Sequence, residues 1–148
     1  MTAFPIRHFD SDEAVAHIGE GLLGRTLKRD EWTHEAHLAA ALYLLVSHPE
    51  IDLDSELAGL IRHFNESVGG VNDETQGYHD TITKTYLRGV RLFLERAGQK
   101  APLLELVNGL LRSPAGGRDW PLRFFSRERL MSVEARRHWV EPDLGPIS

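Results

Sequence analysis

The stretch EWTHEAHLAAALYLL, residues 31–45, decides how this chain is read. It opens with two histidines three residues apart, His34 and His37, and otherwise reads as an apolar helix. The helix starts at about Asp30 or Thr33 and stops at His48, because Pro49 cannot continue the hydrogen-bond ladder. On a wheel of about 100° per residue, His37, Leu38, Ala41, Leu45 and His48 fall within about 60° of His34. Glu35, Ala39 and Tyr43 fall on the other side. The spacing predicts two imidazoles in the middle of a buried stripe, where each needs a partner.

The rest of the chain divides into helical segments separated by short Gly, Pro and Asn punctuation. DSDEA, with Ser11 or Asp12 as the cap, opens a first helix that ends near Gly21 or Gly24. IDLDSELAGLIRHFNESVGG (51–70) begins acidic and ends in a double glycine, with Leu53, Leu57, Leu60, Phe64 and Val68 on one face. HDTITKTYLRGVRLFLERAG (79–98) ends in Arg96 and Gly98, and His79, Ile82, Thr83, Tyr86, Val90 and Leu94 share a face. A fifth helix covers about 102–112. RDWPLRFFSRERL and SVEARRHWV predict two short helices, capped by Ser126 and Ser132, before the extended tail EPDLGPIS. No run alternates in polarity over a strand's length. The expectation is all-α: a single domain over 1–148, a bundle of about five main helices plus short C-terminal ones.

Short connections make consecutive helices antiparallel neighbours, so the second and fourth are expected to run parallel with their N-termini at one end. His34, His37 and His79 would then meet in a polar pocket under the loop VNDETQGY, residues 71–78. Three imidazoles and a carboxylate suit one divalent ion, Zn, Fe or Mn, with Glu74, or Asp73 in its place, beside the histidines. Without a metal, and with no other cofactor expected, the same histidines are candidates for acid/base catalysis on a small substrate, which an anionic group would suit. Tyr78, Thr83 and Tyr86 would then orient the substrate, and Arg127 would bind its carboxylate or phosphate. The alternative, from another class, is a non-catalytic ligand-binding or interaction protein whose histidines are structural.

Other classes fall away. There are no cysteines, hence no disulfides, thiolate metal sites or Cys nucleophiles. HExxH is absent, no second Glu-x-x-His completes a di-iron pattern, and there is no nucleophile elbow, P-loop or dinucleotide glycine fingerprint. Residues 1–97 carry 9 Lys/Arg against 16 Asp/Glu, and residues 98–148 carry 8 against 6. That mild basic bias is too small for a nucleic-acid patch. MTAFPIRHFDSDEA has no apolar core of signal-peptide length and no later run approaches a membrane span, which predicts a soluble, cytoplasmic protein. The expected partner is a small molecule, with no nucleic acid and no membrane, and a homodimer is left open.

Three patches, EWTHEAHLAAALYLL, GYHDTITKTYL and ARRHWVEPDL, together resemble an uncharacterised family of small bacterial all-helical proteins carrying WTHxAHL, GYHxTIT and WVEPDL motifs. The resemblance spans residues 30–144 and implies an all-helical fold. It implies no reaction, cofactor or catalytic residue.

Overall fold

The structure is a computed structural model that describes residues 6–98 and 100–148, so the part of the N-terminal reading that falls on residues 1–5 lies outside it. Seven α-helices follow one another among the described residues. They are α1 (Asp12–Gly24), α2 (His34–Ser47), α3 (Leu53–Ser67), α4 (Asp80–Ala97), α5 (Leu103–Arg112) and the short α6 (Arg127–Leu130) and α7 (Val133–Arg137), and no strand forms among them. No described helix is long and apolar enough to cross a membrane.

The helices begin where side chains can take up their leading amides. Ser11, Thr33, Asp52, Ser126 and Ser132 are the N-caps of α1, α2, α3, α6 and α7, each accepting from an amide two or three residues on. The exception is α5, where Pro102 supplies no side-chain cap, while α4 is capped by an imidazole. That cap is His79, whose Nδ1 accepts from the Ile82 amide at 3.1 Å.

Helix α2 lies at the centre. It packs on α1 most extensively, then on α5 and α4, while α3 packs on α1 and α4. The consecutive helices α2 and α3 are not among the closely packed pairs, so the expected neighbour order fails there. Glu35, Ala39 and Tyr43, which the wheel turned outward, are 4%, 0% and 9% exposed. Within α2 only His37 and the terminal Ser47 are exposed. The expected stripe is thus corrected. A helix that is apolar all round has no outer face to lose, and α2 is covered on nearly every side except the flank that carries His37.

The C-terminal segment closes over the opposite side of α4. Thr81, fully buried, donates to the His138 carbonyl at 3.0 Å and accepts from the Val140 amide at 3.3 Å. Asp143 takes both the amide and the hydroxyl of Ser126, at 2.7 and 2.6 Å, so the tail is pinned rather than loose.

The contact between α1 and α2 depends on Gly19. A Cβ there would stand 2.1 Å from a ring carbon of Tyr43. Gly19→Ala gains about 1 kcal/mol of helix propensity but overpacks a rigid ring, which costs about 1–3 kcal/mol or more. Overpacking wins at that distance. Urea denaturation of Gly19→Ala is expected to show a net loss of about 1–2 kcal/mol, and a gain would contradict this packing.

Candidate ligand-binding site

The first turn of α2 is held from outside and inside. Thr33 caps it, and Trp32, just before the cap, packs its ring 4.0 Å from that of His37, four positions beyond the cap. This is the arrangement of a hydrophobic staple, with an imidazole as the inner partner. Trp32 in turn meets Phe64 of α3 edge-on at 5.4 Å.

Beside this staple a hollow of about 300 Å³ opens between α1, α2, α3 and α4. Leu22, Leu38, Ala40, Ala41, Leu57, Ile61, Ile82 and Trp32 make its apolar wall. Its polar groups are His34, His37, Thr83 and Tyr86. The hollow is small and mostly apolar, with a few convergent polar groups, which is the usual character of a small-molecule pocket.

The hydrogen bonds decide what the imidazoles present. His37 Nδ1 lies 2.6 Å from the Thr33 carbonyl. A carbonyl only accepts, so Nδ1 carries the hydrogen, and Nε2 is left with its lone pair and no partner among the described residues. His34 Nε2 lies 2.9 Å from the Gly116 carbonyl, so that nitrogen carries a hydrogen and donates it. The His37 ring is therefore an acceptor on the hollow's side. His37 keeps part of its surface open to solvent, while its ring borders the hollow and packs on Trp32. Burial, helped by neighbouring His34 and opposed by the bond to Thr33, pulls its pKa down to about 4.

Tyr86 and His34 also hold the wall. Tyr86 donates to the carbonyls of Gly117 at 2.6 Å and Arg118 at 3.1 Å, and its ring stands edge-on to His34 at 5.5 Å. Gly116 fits because a Cβ there would be 2.4 Å from the Leu111 carbonyl. Next to this strap, Glu35 is buried with Oε2 3.7 Å from Arg118 and Oε1 without a hydrogen-bond partner.

The structure brings four of the expected site residues together: His34, His37, Thr83 and Tyr86. His79 is elsewhere. Its Nε2 donates to the Leu130 carbonyl at 2.7 Å and its Nδ1 caps α4, so both nitrogens are taken. Burial also holds its pKa below the ordinary histidine value. The start of α2 meets α4 at Tyr86, seven residues past His79, or about 10 Å along the helix at 1.5 Å per residue.

Tyr78 is buried and donates to Asp80 at 2.7 Å, while Lys84 holds the other Asp80 oxygen at 2.8 Å. Asp73 caps its own loop through Thr75 and Gln76, and Glu74 pairs with Arg137. These loop residues border a different cleft, with Arg62, Arg136 and Arg137. Arg127 is exposed on α6 and does not line the hollow. The expected metal set of His34, His37, His79 and Glu74 or Asp73 is thus dispersed, and no group of three or more His, Asp or Glu among the described residues is placed to hold a metal ion.

Sequence reasoning missed Trp32 and the aliphatic walls from α1 and α3. The staple spacing of Trp32 and His37 about the Thr33 cap was the available signal for the first. Glu35 gave none.

Two measurements follow. In an NMR titration the His37 ring is expected to stay neutral through pH 5 and to protonate near pH 4; a midpoint above 6 would contradict its enclosure. His79→Ala removes a cap and strands a buried carbonyl, so it is expected to cost about 1–3 kcal/mol in urea unfolding while leaving the His37 titration in place. Unchanged stability would contradict the structural role. These roles rest on geometry: compared with models of protein families, with curated proteins and with solved structures, the chain matches none.

Proposed function

We propose that this chain binds a small molecule in the hollow between α1, α2, α3 and α4, with the imidazoles of His37 and His34 as its polar readers. The observation that carries the reading is the His37 ring, which lines an apolar hollow of about 300 Å³ with Nδ1 committed to Thr33 and Nε2 unpartnered. His79 has both nitrogens taken by protein groups. His37 does not.

The same geometry favours recognition over turnover. A general base works best with a pKa near the operating pH, and His37 at about 4 holds a proton too weakly for that role while remaining a good hydrogen-bond acceptor. His34 and Tyr86, both bonded to the Gly116–Arg118 strap, set the wall against which the ligand rests.

The test is an NMR fragment screen on the full chain and on Ala41→Phe, which fills the hollow from α2. Bound fragments are expected to shift Trp32, His37, Ile82 and Thr83 in the wild type, and those shifts are expected to disappear in the filled variant. Hits confined to the C-terminal groove beside Trp139 and Leu144, or no hits at all, would overturn the proposal.

A further inference from the structure

We propose that the molecule taken up is uncharged and carries a hydrogen-bond donor: one ring, or two fused rings, bearing a hydroxyl or N–H that His37 Nε2 accepts. The inference rests on the reading of the hollow as a ligand site and adds the chemical class of its occupant.

Charge comes first. No Lys, Arg, Asp or Glu lines the hollow. A carboxylate or phosphate entering it would lose its water and find no cation, and the earlier candidate for that role, Arg127, is exposed on α6. An ammonium group would find no carboxylate. Stripping either ion of water without a counter-charge is far more costly than burying a neutral polar group.

The inventory of donors and acceptors then narrows the class. His37 Nδ1–H is committed to the Thr33 carbonyl, His34 Nε2–H to the Gly116 carbonyl and the Tyr86 hydroxyl to the Gly117 carbonyl. Of the side chains in the wall, the neutral donors of Thr83 and Trp32 are the most that a ligand could meet, whereas His37 Nε2 still offers a lone pair. An anion needs a cationic donor to offset its lost water, and the wall has none. A ligand without a donor would displace water from His37 Nε2 and leave its lone pair unmatched. A hydroxyl or N–H on the ligand answers that directly.

Size and shape complete the argument. A cavity of about 150 Å³ lined by aliphatic and aromatic side chains is known to accept benzene, so a hollow of about 300 Å³ has room for one ring with substituents or two fused rings. Trp32, 4.0 Å from the His37 ring, offers a flat face next to the acceptor nitrogen, which suits a planar ligand. His37 is thus the specificity residue, and His34, tied to the strap, is a positioning residue.

The test uses four probes of one shape on the full chain: 4-methylphenol, toluene, 4-methylbenzoate and 4-methylbenzylammonium, with affinity read from shifts at Ile82 and Thr83. The phenol is expected to bind about tenfold or more tighter than toluene, since the unmatched acceptor penalises toluene, and both ions are expected to bind more weakly than toluene. In His37→Phe the advantage of the phenol over toluene is expected to fall below about threefold while toluene still binds. Toluene equal to the phenol, or either ion binding tightest, would overturn the ligand class and leave the hollow as a small-molecule site. No probe shifting Ile82 or Thr83 would overturn the ligand class and the site together. The ranking of the four probes on the wild-type chain decides the class whether or not the variant folds.

Discussion

A helix with no polar face must be covered on every side, and α2 is such a helix. Ala36, Leu38, Ala39, Ala40, Leu42 and Leu44 are each 2% exposed or less, and together they point in all directions around its axis. The remaining helices are arranged to meet that demand, with α1, α5 and α4 packed along it. Coverage is incomplete on one flank of its first turns. That gap, bounded by α3 and the hollow's aliphatic walls, is where His34 and His37 emerge.

Once α2 is fixed, the chemistry of the gap is fixed by carbonyl groups. Thr33 turns the chain into the helix and its carbonyl captures His37 Nδ1. Gly116, seated on the end of α5 where no side chain fits, presents the carbonyl that captures His34 Nε2. Backbone acceptors thus fix which nitrogen of each ring donates, and what His37 presents to the hollow is the lone pair of Nε2. The site follows from packing more than from charge.

Much of the fold was legible in the sequence, because caps and stops are local. Ser11, Thr33, Ser126 and Ser132 begin helices where side-chain capping chemistry places them, and Pro49 ends α2 as its missing amide requires. The site was half legible. His34, His37, Thr83 and Tyr86 share a hollow because α2 and α4 do pack together. His79 was misplaced for a definite reason. A cap residue has extended backbone, here φ −129° and ψ 110°, so the helical wheel does not govern where its ring points. Its partner Leu130 and the partner of His34, Gly116, lie 51 and 82 residues away, and no local pattern announces such pairings. The outward reading of Glu35, Ala39 and Tyr43 failed because a wheel needs contrast between faces, and α2 has almost none.

The claim on which the site depends is the state of two rings, and nitrogen-detected NMR of the imidazoles at neutral pH reads it directly. The account predicts His37 as the neutral tautomer protonated on Nδ1, and a hydrogen on Nε2 of His34. An imidazolium at His37, or a neutral His37 protonated on Nε2, would contradict it.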